Sequence, residues 1–210
     1  MSKTVLSVGA PKRHLCKVTF ADGSVLELDS DYCLALSLRE GETLTESEIK
    51  NHKAASDFER ARSRALWYLS RSDHSEKALK DKLIRAGFER EISQKAVLRI
   101  KELGLLNDEA LCARLAEAFL SENRSLRETE QKLILKGLPR DLVKSVLSEA
   151  ECDPKEQIRT LVLKKYKNKL SNEDDVRKTV AALMRRGFRF SDIKAVLKSF
   201  SNELYECEEF

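Results

Sequence analysis

From Phe58 to the end of the chain, apolar positions recur at helical spacing and fall into groups of three helices. In the first group Phe58, Ala61, Ala65, Leu66 and Leu69 form one stripe. Leu79, Leu83 and Ile84 form a second, and Ile92, Ala96, Val97, Ile100 and Leu103 a third. The second group reads Leu111, Leu115, Ala118 and Phe119, then Leu126, Leu133 and Ile134, then Leu142, Val143, Val146 and Leu147. The third reads Ile158, Leu161, Val162 and Tyr166, then Val176, Val180, Leu183 and Met184, then Ile193, Val196, Leu197 and Phe200. Ser75, Ser125, Asn172 and Ser191 supply N-caps, and Ser125 with Glu128 reads as a capping box. Pro139 and Pro154 suit first helical turns.

The middle helix of each group ends alike: KLIRAGF at 82–88, KLILKGL at 132–138 and ALMRRGF at 182–188. Glycine stops a helix cheaply because it adopts the left-handed conformation without a Cβ clash. The large apolar residue after it folds back onto the last turn. Glycines 87, 137 and 187 are therefore expected to be helix stops, fifty residues apart.

Residues 1–57 are different. CKVTFADGSVLELDS alternates apolar and polar about Asp22-Gly23, the signature of a β-hairpin. A short helix is expected in YCLALSLREG. Another is capped by Thr45 with Glu48 and runs to about Ala55. The expected organisation is an N-terminal hairpin and helix (1–57) followed by three-helix repeats at 58–107, 108–153 and 154–210. The fold class is mainly α, a tandem array that is elongated and curved. Scarce Gly and Pro, 7 and 3 in all, agree with helices joined by short loops.

Charge adds a pattern. Basic and acidic residues number 7 and 9 in 1–57, 12 and 7 in 58–107, 7 and 10 in 108–153, and 13 and 9 in 154–210. Two basic blocks flank an acidic middle, which fits a polyanion or a charge-complementary protein as partner. Lys82 and Arg85, Lys132 and Lys136, and Arg185, Arg186 and Arg189 recur near the three helix stops. Lys164, Lys165, Lys167 and Lys169 form a dense run. These cations are the candidate contacts to partner or DNA. The competing account is that they serve helix dipoles and solubility. Trp67-Tyr68 offers stacking surface, with at least one of the two rings expected in the core.

Catalytic signals are missing. No phosphate-binding glycine loop or nucleophile elbow occurs, and His14, His52 and His74 are far apart. His74 is expected to be a solvated loop residue. Five cysteines without C-x-x-C spacing indicate neither a disulfide framework nor a zinc site. No cofactor or metal is expected. With no signal-like or membrane-spanning run, the expected compartment is the cytoplasm.

ALWYLSRSDHSEKALKDKLIRAGF (65–88), ELGLLNDEALCARLAEAFL (102–120) and RKTVAALMRRGFRFSDIKAVL (177–197) together resemble the RecX family of recombinase regulators. The resemblance covers about residues 58–200 and rests on the ordered set of repeats and junctions. Three departures stand out: Asn107 where an Asp is usual, the entry SLRETEQKL without a glycine, and the acidic tail NELYECEEF. The resemblance implies a non-enzymatic protein that binds the RecA recombinase, lies in the groove of its filament on single-stranded DNA and limits filament growth. It also implies direct binding to single- or double-stranded DNA, and no membrane association. A monomer is expected because neighbouring units can cover each other's stripes. The alternative is a stand-alone nucleic-acid-binding helical protein, and a helical scaffold for some other protein is a third.

Overall fold

A computed structural model describes residues 2–12, 14–166, 170 and 172–206, with side chains described through residue 200. Lys167, Lys169 and the last four residues of the acidic tail lie outside the described residues. The chain divides into two compact units, residues 1–107 and 108–210.

In the first unit, β1 (Ser2–Val8), β2 (Leu15–Phe20), β3 (Val25–Asp29) and β4 (Thr43–Thr45) form an antiparallel sheet in the order β3-β2-β1-β4. The Asp22-Gly23 hairpin is present. Gly23 has φ +82°, and the Asp22 carboxylate accepts from the Ser24 amide at 2.9 Å. The Lys3 ammonium on β1, and then Ser24, hold the Asp22 carboxyl well below the usual carboxylate range. The hairpin is therefore the outer half of a larger sheet. Strand β4 is too short to show an alternating pattern, and β1 carries a register shift between Val5 and Ser7 that disrupts its alternation. One face of the sheet buries Val5, Cys16, Val18, Phe20, Leu26, Leu28 and Leu44 against Cys33 of α1 (Ser30–Leu36).

Helix α2 runs without a break from Glu46 to Leu69, 24 residues, or about 36 Å at 1.5 Å per residue. The expected stop near Ala55 is wrong, and position 57/58 lies inside this helix. No Gly or Pro interrupts the stretch. Asp57 is tied along the helix to Lys53 at 3.2 Å and to Arg60 at 3.1 Å, pairs that support continuity. Its first half packs on the sheet: Ile49 joins the sheet core, and buried Ser56 accepts from the Asp29 amide at 2.6 Å. Its second half contributes Ala61 and Ala65 to a core with residues of α3 (Glu76–Arg85) and α4 (Arg90–Glu102).

The second unit holds α5 (Asp108–Ser121), α6 (Leu126–Leu135) and α7 (Arg140–Ser148) around Leu111, Cys112, Ala116, Leu133, Leu138 and Val143. It continues with α8 (Pro154–Leu161), a π-helical turn at Val162–Tyr166, α9 (Glu173–Arg185) and α10 (Phe190–Glu206), around Ile158, Leu161, Val162, Leu183, Phe188, Ile193 and Val196.

The repeated helix stops are alike in detail. The Gly87, Gly137 and Gly187 amides donate to the carbonyls three residues back. The Phe88, Leu138 and Phe188 amides donate to those five back, at 3.2, 3.3 and 3.3 Å. This is the Schellman arrangement, and all three glycines are left-handed, with φ of +95°, +89° and +89°. Helix α5 ends the same way on Asn123, φ +57°, a stop that the sequence hides because Asn has many other uses.

Several stripe positions need correction. Leu66, Leu103, Ala118, Leu126 and Met184 are exposed, while Cys112 and Ala116 take the buried places on α5. Ser191 is not a cap, since α10 already begins at Phe190. The Ser125 hydroxyl accepts from the Glu128 amide at 3.1 Å, but the Glu128 carboxylate turns to Arg124 instead of closing a capping box.

Within the second unit the repeats meet at a specific joint. The Ser125 hydroxyl donates to the Arg186 carbonyl, and Gln157 Nε2 donates to the Leu120 and Arg124 carbonyls at 3.3 and 3.2 Å. A Cβ on Gly187 would lie 2.8 Å from Ser125 Oγ and 3.0 Å from Arg127 Cβ, whereas one on Gly87 would meet nothing within 4 Å. Both positions carry the left-handed cost of about 1–2 kcal/mol for a non-glycine residue. Only Gly187→Ala adds a clash, worth about 1–3 kcal/mol more. Urea unfolding should therefore show a larger loss for Gly187→Ala than for Gly87→Ala. Equal losses would contradict the close approach of Ser125 to the Gly187 turn.

Candidate partner and nucleic-acid interface

The candidate cations fall into three separate settings. The first surrounds the end of α2. Trp67 is 44% exposed, and its ring has the Arg71 guanidinium at 4.2 Å and that of Arg64 at 4.9 Å. Tyr68 packs against the core and meets Trp67 edge-on at 5.3 Å, so one ring is core and the other faces solvent. Lys82 reaches over from α3, its ammonium 5.0 Å from the Tyr68 ring and 3.1 Å from His74 Nε2. Ser72 Oγ is 3.2 Å from the same nitrogen. His74 is thus an engaged part of this cluster and not merely a solvated loop residue. Arg64 and Arg71 were not among the sequence candidates. Their signal was available, since i−3 and i+4 from an exposed Trp place them on the same helix face.

The second setting repeats part of the first. On α6 the Lys132 ammonium lies 6.0 Å from the Phe119 ring of α5, and Arg124 lies 5.5 Å from the same ring. Lys82 and Lys132 both stand five residues before the helix-stop glycine and both cover an aromatic residue of the preceding helix. The third repeat breaks the correspondence, because Ala182 occupies that position. Arg85 is exposed and donates to the Asp81 carbonyl at 3.1 Å, and Lys136 is exposed at the end of α6.

The third setting is a groove of about 660 Å³ at the joint between the repeats of the second unit. Arg127, Arg189 and Asp192 line it together with exposed Leu126, Met184 and Phe190. Arg185 is exposed at the end of α9. Arg186 differs: it is half-buried, its Nε lies 3.8 Å from Glu128 Oε2, and its carbonyl takes the Ser125 hydroxyl. Lys164 and Lys165 are exposed on the π-helical turn. Lys167 lies outside the described residues.

Chemically, these surfaces offer cationic groups beside aromatic rings. Guanidinium groups around an exposed indole suit phosphates or carboxylates, with stacking surface between them. The described residues contain no group of three or more His, Cys, Asp or Glu placed to hold a metal ion. No described helix is long and apolar enough to cross a membrane.

Three-helix units that follow a small antiparallel sheet in the chain, with cationic groups on their surfaces, define a helical-repeat protein. The comparisons with known proteins specify the family. The family description "RecX, first three-helix domain" matches residues 61–99, and "RecX, third three-helix domain" matches residues 152–197. The "Regulatory protein RecX" of Clostridioides difficile is 28% identical over 170 residues, spanning 79% of this chain and 80% of that protein. The protein of the same name from Caldanaerobacter subterraneus is 27% identical over 180 residues, 85% of this chain and 90% of the other. A crystal structure of regulatory protein RecX superposes with TM-score 0.65 at 20% identity, covering 92% of this chain and 98% of that one. RecX from Lactobacillus salivarius gives 0.60 at 20% identity over 70% and 98%. These two structures share the fold. The chain belongs to the RecX family, a family of regulatory proteins.

The two neighbouring arginines should separate on mutation. Arg186→Glu places a second carboxylate against partly buried Glu128 and should cost the second unit about 1–2 kcal/mol. Arg185→Glu, fully on the surface, should change stability by less than about 0.5 kcal/mol. Thermal or urea unfolding that ranks them the other way would refute the structural role assigned to Arg186.

Proposed function

We propose that this protein regulates homologous recombination by binding the RecA recombinase and its filament on single-stranded DNA, and that it limits filament growth and activity. Family membership joined to the cation–aromatic cluster around Trp67 carries the reading. A protein that follows a nucleoprotein filament meets both phosphates and acidic side chains, and that cluster suits both. The work is done by binding alone, by a cytoplasmic monomer, without cofactor. Arg64, Arg71 and Lys82 on the first repeat, Lys132 on the second and Arg185 and Arg189 on the third are the contacts. Arg186 is kept for the joint.

A second reading has its own support. Trp67 flanked by two arginines is also what a stand-alone single-strand binder uses, with the indole stacked on a base and the guanidinium groups on flanking phosphates.

Both readings meet in one experiment. The recombinase of the same organism hydrolyses ATP on single-stranded DNA while this protein is added at ratios too low to coat the DNA, and binding to bare DNA is measured alongside. Progressive loss of hydrolysis supports filament regulation. Unchanged hydrolysis with tight binding to bare DNA supports the second reading. Arg185→Glu with Arg189→Glu should weaken filament binding about tenfold at low ionic strength, and less as salt screens the contact. Unchanged affinity at every salt concentration would remove those arginines from the interface.

A further inference from the structure

The second unit carries a groove whose chemistry is opposite to that of the cationic surfaces. It has a volume of about 650 Å³ and lies among α5, α7, the connection at 149–153 and the start of α8. Five carboxylates line it: Glu117, Glu149, Glu151, Asp153 and Glu156. No Lys, Arg or His does. Asp153 caps α8 by accepting from the Lys155 amide at 2.9 Å. Among the described residues, Glu117, Glu149, Glu151 and Glu156 have no ion-pair partner. Ala113, Ala116, Leu120, Val146 and Cys152 give the lining an apolar part, and Ser121 and Asn123 are its uncharged polar residues beside Gln157. Burial, and then the neighbouring Asp153 carboxylate, raise the Cys152 thiol, so at neutral pH it adds neutral surface to the lining.

An independent feature belongs to the same wall. Gln157 is only 8% exposed and lines the groove. Its Nε2 is committed to the Leu120 and Arg124 carbonyls, which leaves Oε1 as a buried acceptor without a hydrogen-bond partner. That acceptor is left unsatisfied by the fold at the wall of the groove.

We propose that this groove is a docking site for a basic amphipathic helix of a protein partner, with apolar side chains on the Ala116–Leu120–Val146 lining and lysines or arginines against the surrounding carboxylates. Four features select that occupant. A rim of one charge sign attracts the opposite sign and repels its own, so nucleic acid is excluded. The apolar lining requires apolar anchors, which free polyamines and simple cations lack. The carboxylates do not gather into a group that could hold a metal ion. An amphipathic helix presents both kinds of side chain on adjoining faces, the established way for helices to fill grooves. The inference is independent of the RecA reading and concerns a different surface.

The test uses the full chain and a fluorescein-labelled synthetic helix of Leu and Lys, acetyl-LKKLLKLLKKLLKL-amide, read by fluorescence anisotropy and by amide chemical shifts. One-to-one binding is expected, with shifts gathered on residues 113–121 and 146–157. Glu117→Gln with Glu149→Gln and Glu156→Gln should weaken it at least tenfold. Ala113→Trp, which fills the exposed wall of the groove without changing any charge, should do the same. Glu109→Gln with Glu173→Gln and Asp174→Asn removes as many exposed charges elsewhere and should change affinity less than twofold. A peptide of the same composition, scrambled to destroy its apolar face, should bind at least tenfold more weakly. Equal losses in the two triple variants, equal binding of the scrambled peptide, or shifts spread over the whole surface would each overturn the proposal. So would saturation of the same resonances by millimolar magnesium or calcium without peptide binding, which would make the groove a cation site.

Discussion

The second unit depends on how closely one turn can approach another. The Ser125 hydroxyl donates to the Arg186 carbonyl only because Gly187 has no side chain, since a Cβ there would stand 2.8 Å from that oxygen. The same hydroxyl caps α6 by accepting from the Glu128 amide. One buried atom therefore fixes the start of a helix in the second repeat and the end of one in the third. Around it Arg124, Glu128 and Arg186 form a charged chain, and Gln157 closes the other side on two backbone carbonyls. Glycine is needed at this turn twice over, for its left-handed φ and for the space beside it.

The same constraint sorts the cations. A Schellman stop draws Lys and Arg to its last turn, where they face the negative end of the helix dipole. Recurrence at the three stops therefore does not by itself mark a contact residue, and the structure places these cations in different settings. Arg186 is held by Glu128, Arg185 points to solvent, and Lys82 and Lys132 cover aromatic rings of the preceding helix. Those two lysines serve a packing role as well, because each side chain lies over a ring face that would otherwise meet water.

Much of this was legible in the sequence. The Asp22-Gly23 turn, the three glycine stops and the three-helix groupings follow from local chemistry with few alternatives, and each is present. The failures were of three physical kinds. Strands β1 and β4 are paired by distant partners and carry little local pattern, one being three residues long and the other bulged. Helix α2 was divided near Ala55 because its apolar face changes partner there, from the sheet to the first repeat, while its backbone continues. The stripe errors at Leu66, Leu103, Leu126 and Met184 are large apolar residues assumed to be buried. A small three-helix unit cannot cover every such residue, and smaller Cys112 and Ala116 fit the crowded face of α5 better. Of the candidate site, the cations were visible as residue types. Their aromatic partners and the Arg64–Trp67–Arg71 set became clear only with the helix faces assigned.

The acidic middle of the chain has a place in the same picture. Residues 108–153 carry 10 acids against 7 bases, and their excess is not spread evenly. Four of those acids, Glu117, Glu149, Glu151 and Asp153, gather with Glu156 around one groove with an apolar part, while Arg127 and Arg189 outnumber Asp192 in a second groove of the unit. Gln157 belongs to the walls of both. Solubility alone would favour charges of mixed sign spread over the surface, because segregated like charges repel each other and cost stability. On the docking proposal, two grooves of opposite sign on either side of one buried amide would each repel what the other attracts, and a single unit of about a hundred residues would present two chemically unlike binding surfaces.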